Sequence, residues 1–123
     1  MLPVFHQQRY WEFKQVLERV RERANAGADG ATLTSEVSDL QHFFEHQILS
    51  LDASELLPVI EQRVQSYQVE INKQLRLLGM DVMFLQAARQ ADTRSQRWGQ
   101  VSDRLSVLIR YCDGLLGKPE GPA

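Results

Sequence analysis

The apolar residues of this chain recur at gaps of three and four, and that spacing decides what it can fold into. Tyr10, Phe13, Leu17, Val20 and Ala24 follow one another in this way, which lines them along one face of an α-helix. A second run is Leu33, Val37, Leu40, Phe44, Ile48 and Leu51. A third begins Leu57, Ile60, Val64, Tyr67, Ile71 and resumes Leu75, Leu78, Val82, Leu85. A fourth, the longest unbroken alternation, is Trp98, Val101, Leu105, Leu108, Cys112 and Leu115. No segment carries the strict every-second-residue pattern of a strand. The fold class expected is therefore all-α: an antiparallel, up-down four-helix bundle, since connections of a few residues favour antiparallel neighbours.

Local signals bound the helices. Pro3 suits a first helical turn, so the first helix is expected over about 3–25. The run Ala26-Gly27-Ala28-Asp29-Gly30 ends it, with Gly27 or Gly30 free to adopt the left-handed conformation. The second helix is expected over about 34–50, capped by Thr32, Thr34 or Ser35. Asp52 and Glu55 fit a capping box that opens the third helix, and Ser54 is a second cap that would leave Pro58 at the end of the first turn. That helix is expected to run over about 54–90, on the order of 50 Å. The step from Ile71 to Leu75 is a four-residue stutter, and Gly79 is a weak point where the helix could bend or break. Asp92, Thr93 or Ser95 caps the fourth helix. Residues 1–117 form one domain, and 118–123, rich in Gly and Pro, form a flexible tail.

Length and charge narrow the function classes. The chain has 123 residues, enough for one domain with a real core. A formal net charge of −2 argues against a general nucleic-acid binder. The charge is uneven: residues 24–70 carry eight acids against Arg63, whereas residues 73–110 carry seven bases against three acids. Either the two regions attract each other within the bundle, or the basic end steers an acidic partner. The single cysteine, Cys112, forms no internal disulfide, which fits a reducing compartment. The first residues lack a basic n-region and a long apolar run, and no stretch of about 18 apolar residues exists to span a membrane. A cytoplasmic protein is the expectation.

Few residues suggest chemistry. His42, Glu45 and His46 match an H-x-x-E-H pattern, in which two histidines four apart share a helix face where both could ligate zinc and Glu45 would act as base. A metal-dependent hydrolase would need a third ligand, and the remaining histidine, His6, lies in another helix. Cys112 sits on the apolar stripe as a small hydrophobe. Trp11 lies beside the main stripe, either under a neighbouring helix or as an exposed anchor. No catalytic residue, cofactor or metal site is expected.

The third helix departs from a simple bundle. It carries a second apolar row, Leu77, Met80, Phe84 and Ala87, opposite the first. Either the first and fourth helices cover both rows, or the second row is a self-association or partner surface.

The segment Glu70-Ile71-Asn72-Lys73-Gln74-Leu75-Arg76-Leu77-Leu78, with Asp81 and Phe84-Leu85-Gln86-Ala87-Ala88-Arg89, resembles the cyanobacterial PatD family. Asp103-Arg104-Leu105, Tyr111-Cys112 and the Leu2-Pro3 start resemble it too. The likeness in length and helix layout spans nearly the whole chain. It implies a non-enzymatic regulator of heterocyst frequency and cell division that binds FtsZ. Within that expectation, the basic turn of Arg89, Arg94 and Arg97 is the docking candidate; independently of the resemblance, a homodimer through the Leu77 row is one of the two alternatives for that row. Readings from other classes are the hydrolase above and a DNA-associated helical regulator, which would show salt-dependent DNA binding.

Overall fold

The computed structural model describes residues 2–117, and the tail expected at 118–123 lies outside them. Four helices form the bundle: α1 (Val4–Asn25), α2 (Gly30–Phe43), α3 (Pro58–Ala87) and α4 (Ala91–Leu115). No strand occurs among the described residues. Packing is antiparallel, with α4 between α1 and α3, and α2 against α3 and α1. The stripes read from the spacing meet at the bundle axis. Tyr10, Phe13, Leu17, Leu40, Phe44, Leu75, Leu78, Leu105 and Cys112 are all sealed from solvent.

Helix boundaries depart from the spacing at three places, each for a local reason. Asp29, not Thr32, Thr34 or Ser35, caps α2: its Oδ1 accepts from the Thr32 backbone N–H at 2.7 Å. Gly30 is then the first residue of α2, and Gly27 alone takes the left-handed turn, at φ +87°. The second departure is at the start of α3. Asp52 does cap a turn, accepting from Ser54 N–H at 3.0 Å, but only the 3₁₀ turn Ala53–Glu55 follows. A residue before proline is pushed to extended backbone, and Leu57 sits there with ψ 146°. The long helix therefore starts at Pro58 rather than 54, with proline in its first turn. It runs 30 residues without a break at Gly79 and stops at Ala87, short of 90. Third, α4 starts at Ala91 after Gln90, which makes no side-chain cap, so Asp92, Thr93 and Ser95 lie inside its first turns.

The chain after α2 continues through a π-helical turn, Phe44–Ile48, in which the Leu49 N–H donates to the Phe44 carbonyl at 2.9 Å. The apolar residues Leu40, Phe44 and Ile48 are spaced four and four. An α-helix of 3.6 residues per turn would swing such a row sideways. The wider turn keeps both Phe44 and Ile48 at 0 % exposure.

Candidate functional site

The inner row of α3 is buried from Ile71 to Leu85, but the opposite row is not covered. Leu77 is half-buried; Met80 is 48 % and Phe84 45 % exposed, and Ala87 is exposed. Of the two alternatives for this row, coverage by α1 and α4 does not occur within the chain. Helix α4 packs against the Asp81 side of α3 instead, and α1 has its main contacts with α4. The exposed row joins Met83, which is 65 % exposed and which the spacing did not single out.

On the α2 side this surface sinks into a groove of about 390 Å³ between α2 and α3, lined by Thr34, Val37, Ser38, Gln41, Met80 and Met83. Its floor lies at Gly79, where α2 comes close. The Gln41 Nε2 donates to the mid-helix carbonyl of Leu75 at 3.3 Å, and a Cβ at Gly79 would lie 3.4 Å from that nitrogen. Arg76 lies on the groove wall.

On the α4 side the surface ends at Arg97, whose guanidinium carbon stands 4.8 Å from the centre of the Phe84 ring. Arg97 also donates to Gln100 Oε1 at 2.9 Å. Of the other two arginines in the expected docking turn, Arg94 donates to the Ala88 carbonyl at 3.5 Å and Arg89 is exposed. Arg94 and Arg97 thus make local contacts, and Arg89 and Arg94 are the two exposed ones. Nearby, Asp81 is taken out of the surface. It is 6 % exposed and receives two hydrogen bonds from Arg104, at 2.9 and 3.5 Å, while Arg104 also donates to Gln74 at 3.0 Å.

His42 and His46 share one helix face, as their four-residue spacing implies. His42, Glu45 and His46 are all exposed, and the two imidazole centres lie 4.0 Å apart. His6 is 3 % exposed in α1, where its Nε2 lies 3.7 Å from Glu55 Oε2. It is not joined to the pair. Among the described residues, no group of three or more His, Cys, Asp or Glu side chains is placed to share a metal ion.

Cys112 is fully buried, and desolvation pushes its thiol well above the ordinary cysteine range, aided by the nearby Asp113 charge. Trp11 is 50 % exposed, so no neighbouring helix covers it as the boundary alternative requires. Among the described residues, no helix is long and apolar enough to cross a membrane.

Comparison of this chain with protein-family models, with curated proteins and with solved structures returns no match.

Proposed function

We propose that this chain is a non-enzymatic regulatory protein that acts by occupying the surface of a protein partner. The observation that carries this reading is the unburied Met80–Met83–Phe84 surface with Arg97 stacked at its edge. Exposed apolar clusters of this kind, rimmed by polar groups, favour protein contact. Methionine adapts to the shape of a partner, and aromatic and arginine side chains supply most anchors at interfaces. The core behind the surface is sealed, so a partner docks on the outside of the bundle. The resemblance to the PatD family directs the choice of partner to FtsZ, with an effect on cell division and heterocyst frequency through altered assembly.

The test is a direct binding measurement between the purified chain and FtsZ, with assembly followed by light scattering. A saturable interaction that alters assembly without turnover supports the reading. Replacing Arg89, Arg94 and Arg97 together by glutamate is expected to weaken binding at low salt by about tenfold, since each rim charge acts mainly on encounter. Unchanged affinity removes that turn from the contact.

A further inference from the structure

The geometry points to an occupant for the α2–α3 groove: an acidic, amphipathic helical segment of a partner protein, about two turns long. This rests on the protein-contact reading above and assigns its surface and the chemistry of what binds there.

Length comes first. The groove follows α3 from Arg76 to Met83, which at 1.5 Å per residue is about 10 Å. That accommodates roughly two turns of a helix with apolar side chains at positions i, i+3 or i+4, and i+7. Met80 and Met83 stand as the apolar wall and Val37 as its opposite. Thr34 and Ser38 add hydroxyls along the α2 rim, the polar edge that an amphipathic helix needs on one side.

Charge selects the partner. Arg76 lines the groove and Arg97 closes the Phe84 side. Lys73 is exposed one turn before Leu77 on α3. No acid is among the described residues lining the groove: Asp81 is turned inward onto Arg104, and Glu36 and Asp39 of α2 line a separate hollow on the α1 side. The exposed surface is thus apolar with a cationic rim. A second copy would offer Arg76 and Lys73 a face with the same cationic rim instead of the acids that would complement it. A flat anionic membrane would engage Met83 and Phe84 but leave the concave strip between α2 and α3 unfilled. An acidic helix satisfies both shape and charge.

The test begins with random 14-residue peptides displayed on phage and selected on the immobilised chain. The enriched peptide is then titrated while backbone amide shifts are followed by NMR. Expected is enrichment of Asp and Glu with apolar residues at helical spacing, and shifts confined to residues 34–41 and 73–84. The double variant Met80→Asp, Met83→Asp changes two exposed side chains, so it should keep the wild-type helical circular dichroism. It is expected to lose at least about tenfold in affinity, and Arg76→Glu to lose several-fold at low salt only.

Neutral or basic consensus peptides, shifts elsewhere, or no enrichment would overturn the assignment. So would a wild-type dimer in sedimentation that the double variant dissociates, or binding to phosphatidylglycerol vesicles that the double variant abolishes. A protein partner that binds wild type and double variant equally sinks this groove while leaving the contact reading intact. If the groove takes acidic peptides yet FtsZ does not bind, the named partner fails and the groove stands.

Discussion

At the scale of single residues, burial rather than chemistry sets the character of the ionisable core groups. Tyr10 lies at 0 % exposure with its hydroxyl accepting from Gln68 Nε2 at 2.9 Å. Desolvation raises its pKa to about 12, against a smaller lowering by the Gln68 bond. Cys112 is raised by the same cause. In the unfolded chain these groups ionise near their ordinary values, while in the fold they hold their protons. The folded state then binds more protons, so stability is full below about pH 8.5 and falls as pH rises through the unfolded values towards about 12. A urea titration at pH 8, 10 and 11 should show a falling midpoint, and Tyr10→Phe should flatten the upper part of that slope. The buried thiol should also resist a thiol reagent at pH 8 until the protein is unfolded, because the thiolate is the nucleophile. Labelling of the native protein at the rate of a free cysteine would contradict the burial.

Element-scale behaviour depends on backbone features that spacing alone reads unevenly. The apolar stripes were legible residue by residue: every stripe member from Tyr10 to Ala24 is buried, as are Val101, Leu105, Leu108, Cys112 and Leu115. Termini were less legible. Asp29 lies in a glycine-containing run that reads as a break, and three hydroxyl residues just after it look equally able to cap. Only the backbone geometry at Asp29, ψ 164°, distinguishes them. The cap pattern points to residue 54, but Pro58 holds Leu57 in extended backbone, so α3 starts four residues later. The four-and-four spacing at Leu40, Phe44 and Ile48 likewise carried the π turn without announcing it.

Gly79 offers a prediction at this scale. It is an interior helical position with room for a methyl group, at ordinary contact distance from Gln41. Alanine there should raise stability by about 0.5–1 kcal/mol, measured as a higher urea midpoint with unchanged slope. Asp29→Ala should act in the opposite direction by removing the α2 cap. The Asp29 carboxyl is held below its usual range by hydrogen bonds to Thr32. Its contribution is therefore present above about pH 4 and lost as pH falls through the lowered folded value. The stability difference between wild type and Asp29→Ala should shrink in acid, and a difference that is constant down to pH 2 would rule out the cap as its source.

For the whole molecule, the two apolar rows of α3 separate stability from contact. Leu78 faces inward at 0 % exposure, whereas Phe84 faces outward at 45 % and touches Arg97. The sequence had both rows but no means of telling which was covered, because covering depends on where α1 and α4 pack and not on α3 itself. With that packing known, the two positions should respond in opposite ways. Leu78→Ala leaves a cavity in the sealed core and should cost about 2–5 kcal/mol, lowering the urea midpoint while the folded fraction keeps its binding surface. Phe84→Glu removes a cation–π contact of about 0.5–1 kcal/mol and supplies Arg97 with a carboxylate in exchange, so it should change stability by less than about 1 kcal/mol. Its effect should fall on partner affinity, because it places a negative charge on a surface suited to acidic segments. Sedimentation of both variants beside wild type completes the comparison. A loss of stability with Phe84→Glu as large as that of Leu78→Ala would mean that the outer row is buried in solution, and a second copy of the chain would then be its cover.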